Sequence, residues 1–183
     1  MTNRLRSADK RLERPHPVLT TGRFRLHAWS ADDLPLLVAL HSDPEVQRYL
    51  AARDAPWSEH VLRARLDRFI ADYAEYGWTK FKVLDAGGEF VGRAGFSRYE
   101  PTGELELGYS LMRSRWGQGM ATELAQALIE WIYPVAKVGH VIGFTDVDNS
   151  ASRRVLEKAG MVLTGVNKAD GHMMAFYRHD PTD

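Results

Sequence analysis

The chain has no cysteine. That excludes disulfides, a thiolate nucleophile and any cysteine-held zinc or iron–sulfur centre. It also lacks an excess of charge of either sign: 24 Lys and Arg balance 24 Asp and Glu, for a net charge of +0. That argues against a nucleic-acid binder that relies on bulk positive charge and leaves only a local basic patch, and no nucleic-acid partner is expected. No apolar run approaches the roughly 20 residues needed to span a bilayer, and neither internal repeats nor low-complexity stretches occur. What is present is the balance of a globular domain, 183 residues with 44% hydrophobic and 26% charged. At this length folding buries roughly 70% of the unfolded surface without a staple. The missing thiols suit a reducing compartment, so a cytoplasmic location is expected.

Residues 1–17, MTNRLRSADKRLERPHP, hold five basic and two acidic residues and no apolar core of the kind an export signal needs. They read as a basic N-terminal arm, either solvated or laid on a partner subunit or an acidic substrate. Residues 18–183 then form a single domain. Residues 23–28 alternate, with Phe24, Leu26 and Ala28 on one face, as a half-buried strand does. Ser30 and Asp33 form a capping-box signal before Leu34, Leu37, Val38 and His41. Asp43-Pro44 breaks that helix. Pro56, Trp57 and Ser58 open a longer one through Leu62, Leu66, Phe69, Ile70 and Tyr73, and Gly77 is placed to end it in a left-handed cap. Strands are expected over 78–84 and 89–99 around a glycine turn, then over 104–111 after Thr102-Gly103. A helix over 117–133, a strand over 140–146, a helix over 150–159 and two last strands over 161–165 and 173–179 complete the order β-α-α-β-β-β-α-β-α-β-β. Such an order makes a mixed sheet with helices on its faces.

Three segments can carry chemistry. Trp116-Gly117-Gln118-Gly119-Met120-Ala121-Thr122 follows a strand and opens a helix. It is either a tight turn or an anion cradle made of unpartnered helix amides and the helix dipole. It is neither a P-loop, since no G-K-[ST] follows, nor a dinucleotide fingerprint, since Thr122 holds the third glycine position. Asp146-Val147-Asp148-Asn149-Ser150-Ala151-Ser152 is a second strand-to-helix junction. Asn149 or Ser150 would cap the helix, and the Ser152 hydroxyl faces either solvent or a cleft. Glu104 and Glu106 share one face of a strand, the side opposite Leu105, Leu107 and Tyr109. They are either its wet face or, where that face lines a cleft, a carboxylate of raised pKa that acts as a base. The histidines show no metal-ligand spacing, and no metal site is expected.

Jointly these segments resemble the GNAT superfamily of N-acetyltransferases, and within it the RimJ/RimL-like branch of ribosomal-protein N-terminal acetyltransferases. The likeness runs over about residues 18–178. It is carried by LTTGRFRLHAWSADDLPLLVALHSDPEVQRYL, FVGRAGF, GELELGYSLMRSRWGQGMATELAQALIEW and DVDNSASRRVLEKAGM. It implies an α/β (α+β) fold: a mixed, mostly antiparallel seven-stranded sheet, two splayed central parallel strands (104–111 and 140–146) and about four flanking helices. It implies acetyl-CoA as cosubstrate, with the pantetheine arm in the gap against the backbone of Leu111, Met112 and Arg113. The pyrophosphate would lie on the amides of Gln118, Gly119, Met120, Ala121 and Thr122, with Asn149 and Ser152 against the pantetheine arm and the sulfur.

The same likeness implies the chemistry. An amine attacks a thioester only when unprotonated, so a base or a proton-accepting water is needed. The family pattern makes Glu106 that base, in preference to Glu104, and Ser152 the donor to the departing thiolate. A backbone amide near Leu107–Tyr109 would serve the oxyanion. Two positions depart from the wider family: Trp116 stands where Gln or Arg is common, and Leu156 where other members carry an acidic Tyr. The acceptor is a primary amine, of a protein N-terminus or a small molecule. A homodimer through the C-terminal strands or the N-terminal arm is compatible with the sequence. The rival reading is a non-catalytic acyl-CoA-binding or interaction module of the same fold.

Overall fold

A computed structural model describes residues 16–50, 57–169 and 171–181. Most of the basic arm and the Pro56 helix start lie outside the described residues. Eight strands form one sheet: β1 (Leu19–Thr20), β2 (Phe24–His27), β3 (Lys80–Asp85), β4 (Phe90–Arg98), β5 (Leu105–Leu111), β6 (Val141–Asp146), β7 (Val162–Ala169) and β8 (His172–His179). Their order across the sheet is β1-β2-β3-β4-β5-β6-β8-β7. All neighbours are antiparallel except β5 and β6. The helices are α1 (Leu34–His41), α2 (Pro44–Gln47), α3 (Glu59–Tyr76), α4 (Met120–Ala136) and α5 (Ser150–Lys158).

Local chemistry sets most boundaries. The Ser58 hydroxyl accepts from the Val61 amide, and Gly77 closes α3 at φ 75°, a left-handed conformation that costs glycine nothing. Asp43 does more than break α1: its side chain accepts from the Glu45 amide and Pro44 occupies the first helical position, so the break starts α2. The eighth strand, β1, is two residues long and pairs with β2, too short to carry a period in the sequence. β7 runs past residue 165 to Ala169 because β8 pairs with it along its length, which overrides the weak strand preference of Asn167 and Lys168. It is an edge strand, and Val162, Leu163 and Val166 on it are exposed.

The sheet has an apolar and a polar side. Phe81, Ala94, Phe96, Leu107 and Leu111 pack with Leu124, Leu128 and Ile132 of α4 in the main core. The opposite face carries Lys80 and Lys82 of β3, Arg93 and Ser97 of β4, and Glu106 and Ser110 of β5, which the register sets side by side. α1 and α3 pack on each other through Leu34, Leu37, Leu62, Leu66 and Phe69 and cover this face. Asp33 reaches Lys82 at 2.7 Å, and His41 receives the Nε–H of Arg93 at 3.3 Å. The register sets Lys80, Gly95 and Gly108 in one row. A Cβ on Gly95 would lie 2.0 Å from the Thr79 carbonyl oxygen, and one on Gly108 would lie 2.6 Å from Lys80 Nζ. Gly108 therefore leaves the channel along which Lys80 reaches Glu106, whereas Gly95 lets β4 lie close against the backbone of β3. At position 95 the obstacle is backbone and cannot swing away. Gly95→Ala is expected to lower stability by about 3 kcal/mol, read as a fall in urea midpoint with an unchanged slope.

Candidate active site

β5 and β6 are held together at a single register pair, Glu106 opposite Ile142. β4 grips β5 from Gly92–Leu111 to Arg98–Leu105, and β8 grips β6 over its six residues. Past Glu106 the two parallel strands separate. The Met112 amide donates to the Val91 carbonyl at 2.9 Å, which fixes the phase of the β4–β5 ladder. Alternate residues of an antiparallel strand turn their backbone groups to opposite sides. Glu106, Gly108, Ser110 and Met112 therefore face β4, while Tyr109 and Leu111 face the opening. The Leu111 carbonyl accepts from the Trp116 indole at 2.9 Å, and the Met112 carbonyl accepts from the Arg115 amide at 2.8 Å. Of the three residues expected to offer backbone to a ligand, Leu111 is directed at the opening, Met112 is engaged within the protein at both ends, and Arg113 lies exposed in a short 3-10 turn.

The opening leads to the start of α4. Gly117 and Gly119 both take left-handed conformations, at φ 72° and 71°. The helix begins at Met120, three residues after the expected start, because these glycines belong to the approach turn. The first helical bond runs from the Glu123 amide to the Gly119 carbonyl at 3.2 Å. The amides of Met120, Ala121 and Thr122 thus precede the intrahelical ladder. Glu123 would repel an anion here, but Thr21 and Arg23 engage its carboxylate at 2.6 Å each. Arg23 also donates to the Gln118 carbonyl at 2.9 Å, so a cation stands beside the turn.

Across the opening lies the start of α5. The Asn149 side chain accepts from the Ser152 amide at 3.1 Å and so is the cap. The Ser152 hydroxyl lies 2.9 Å from the Tyr109 phenol oxygen. Ser152 thus faces the cleft, and Tyr109 joins the two sides of the opening. Burial pushes the Tyr109 phenol well above its ordinary range, against the hydrogen bond to Ser152, so it stays protonated. Leu156, where a tyrosine acid would stand, is buried in the core.

The two glutamates separate clearly. Glu104 lies outside β5 and spends its carboxylate on His140 at 2.6 Å and Thr102 at 2.5 Å. Glu106 is 9% exposed and accepts from Lys80 Nζ and Ser97 Oγ, both at 2.8 Å. The expected raised pKa is not found. Burial alone would raise it, but the charge and hydrogen bond of Lys80, the Ser97 hydroxyl and the charge of Arg93 together hold it below the usual carboxylate range. Lys80, Ser97 and Tyr109 were not singled out from the sequence. In K-F-K-V the two lysines alternate with core residues and look like a solvated face. Only the α1–α3 layer makes that face an interior.

A family model described as an acetyltransferase (GNAT) domain matches residues 23–162. The chain belongs to the GNAT acetyltransferase family. It is therefore an acetyl-CoA-dependent acyltransferase. A protein named "Uncharacterized N-acetyltransferase p20" from Bacillus licheniformis is 27% identical over 167 residues, covering 87% of this chain and 92% of that one. The ribosomal-protein-serine acetyltransferase of Escherichia coli (strain K12) is 31% identical over 93 residues, or 50% of this chain and 52% of that one. A solved RimL ribosomal L7/L12 alpha-N-protein acetyltransferase in complex with coenzyme A superposes with a TM-score of 0.75 at 20% identity, covering 90% of this chain and 98% of that one. These likenesses fit the RimJ/RimL-like branch. Among the described residues no helix is long and apolar enough to cross a membrane.

The Lys80–Glu106 pair couples the stability of the protein to pH. A depressed carboxylate pKa contributes stability that is present above its unfolded pKa and lost as pH falls through the folded one. Lys80→Met leaves the Glu106 charge buried without its ammonium, a change worth about 3–5 kcal/mol, and raises the Glu106 pKa. The destabilisation of Lys80→Met relative to wild type is expected to be greatest at neutral pH and to shrink toward pH 4.5 and below. Melting curves from pH 4 to 8 check this; parallel curves for the two proteins would contradict it.

Proposed function

We propose that this GNAT protein transfers the acetyl group of acetyl-CoA to a primary amine, of a protein N-terminus or a small molecule, by direct attack in a ternary complex. The observation that carries this reading is the opening between β5 and β6. Backbone groups of Tyr109 and Leu111 face it, and the first-turn amides of α4 stand at its mouth. A pantetheine arm contains two amides and can add to an unpaired strand edge as an extended peptide does. Leu111 and Tyr109 supply that edge, with Met112 and Arg113 flanking it. A pyrophosphate suits the amides of Gln118, Gly119, Met120, Ala121 and Thr122. The coenzyme A held by the solved RimL protein supports the choice of ligand. The exposed apolar residues of β7 support a homodimer through the C-terminal strands.

Glu106 and Ser152 divide the proton work. The incoming amine is an ammonium, RNH3+, with an α-amine pKa of about 7.7–8.0. A carboxylate held below its usual range is too weak a base to deprotonate it outright. Glu106 instead attracts and orients the ammonium and passes its proton to water. The amine nitrogen then forms the C–N bond to the acetyl carbon as the C–S bond breaks. One proton goes to the sulfur and one to solvent, giving RNHAc, CoASH and H+. The Ser152–Tyr109 hydroxyl pair is the donor to the sulfur, which takes the place of the acid that Leu156 cannot supply. The Tyr109 amide serves the oxyanion.

Thiol release from acetyl-CoA in the presence of a panel of amines tests this. Glu106→Gln is expected to lower kcat about 100-fold while keeping the rise in Tm on adding acetyl-CoA, which corresponds to about 2.7 kcal/mol at 100 times Kd. Unchanged turnover would remove Glu106 from the mechanism. Acetyl-CoA binding without thiol release for any amine would replace the transferase reading with that of an acyl-CoA-binding module.

A further inference from the structure

Among the described residues the covered polar face holds more positive charge than its own anions neutralise. Lys82 is closed off by Asp33, which it meets at 2.7 Å. Lys80 is paired with Glu106. Arg93 is 5% exposed, and among the described residues its guanidinium bonds to an imidazole, through Nε to His41 Nε2 at 3.3 Å. That imidazole supplies no counter-charge: burial, then Arg93 and Arg65, push its pKa down to about 3. Arg65 comes from α3 and lies 3.8 Å over the Trp57 ring, and its buried Nε meets no protein acceptor among the described residues. Among the described residues neither Arg65 nor Arg93 has a salt-bridge partner. Lys80 and Arg93 thus act on the carboxylate of Glu106, and Arg65 in turn acts on Lys80 and Arg93.

Polar groups without protein partners gather at the same place. Ser110 is 7% exposed, sits directly opposite Arg93 in the β4–β5 register, and its hydroxyl has no protein partner among the described residues; His41 Nδ1 is in the same state. Burying a guanidinium without an anion is costly. The repulsion is visible in Arg93 itself, whose pKa is lowered to about 10 by burial and then by Arg65, against the pull of Glu106. Two cations beyond the one carboxylate, a free hydroxyl and a low dielectric make a strong binding environment for an anion. Glu106 leans along β5 toward Ser110, its Oε1 lying 2.9 Å from where a Cβ on the intervening Gly108 would stand, and Arg93 stands opposite Ser110, so one small molecule can reach both Arg93 and Glu106.

We infer that the acceptor is a small amine carrying its own anionic group, a carboxylate or a phosphate, which Arg93, Arg65 and the Ser110 hydroxyl bind while Glu106 holds the ammonium end. This rests on the transferase reading above and narrows its acceptor. A protein N-terminus carries an amide where a free amino acid carries a carboxylate, so it would leave these cations unmatched. Arg93 and Arg65 are specificity residues in this account and take no part in the bond changes.

Matched pairs of primary amines separate the possibilities: alanine against alaninamide for a carboxylate, and phosphoethanolamine against ethanolamine for a phosphate. In at least one pair the anionic member is expected to show kcat/KM about 100-fold higher by thiol release. Arg65→Met and Ser110→Ala should each reduce that preference at least 10-fold, mainly through KM, while leaving the acetyl-CoA-dependent rise in Tm intact. Calorimetric titration of the preferred member into the protein saturated with CoA should show the same loss of affinity, which a merely structural role would not produce. Arg93→Met serves as a third variant where it folds. Equal or faster transfer to the neutral members, or an undiminished preference in folded Arg65→Met and Ser110→Ala, overturns the inference and leaves the transferase intact. Thiol release with no amine of either kind overturns both.

Discussion

The structure turns on two parallel strands that pair once and then part. β5 is bound along its length to β4, and β6 along its length to β8, so each is rigid and neither can follow the other past Glu106–Ile142. Parallel pairing is the weaker kind, and what is lost by ending it here is small. What results is a strand edge inside a folded domain, with backbone donors and acceptors that suit an amide-bearing arm. The Tyr109–Ser152 contact at 2.9 Å bridges the gap and ties the start of α5 to β5. The approach turn of α4 opens at the same end because the chain leaves β5 there.

The second constraint is electrostatic. A sheet that buries one apolar face against α4 ordinarily leaves the other to water. Here α1 and α3 cover that other face, so its lysines, arginine and glutamate must be satisfied inside the protein. Asp33 answers Lys82 and Glu106 answers Lys80. Gly108 makes room for the second pair, so glycine there is dictated by the passage of a side chain rather than by a turn. Arg93 and Arg65 have no such answer among the described residues. A surplus of buried cations beside a carboxylate suited to an ammonium describes a partner with both kinds of charge.

Much of this was legible in the sequence. The alternation of residues 104–111 placed Glu106 and Leu107 on opposite faces, as found. The glycine-flanked start of α4, the Asn149 cap and the Gly77 terminus were readable because each is a local backbone device. The state of Glu106 was not readable. Its partners Lys80 and Ser97 come from strands β3 and β4, and a lysine at alternate spacing reads as solvated until a helical layer is known to cover it. The part Tyr109 plays was hidden for the same reason: the alternation sets it on the face of Leu105 and Leu107, and only the third dimension puts its oxygen on Ser152. The order of the Met112 backbone groups followed from a hydrogen bond to Val91 that no spacing in the sequence records.

We propose that the unpaired edge of β5 and the first turn of α4 receive acetyl-CoA. Residue-resolved amide hydrogen exchange, with and without saturating acetyl-CoA, tests it most directly. New protection is expected at Tyr109, Leu111 and residues 120–122, and no change at Met112, whose amide is already bonded to Val91. Protection that appears elsewhere, with residues 109, 111 and 120–122 exchanging as before at saturating ligand, would contradict it.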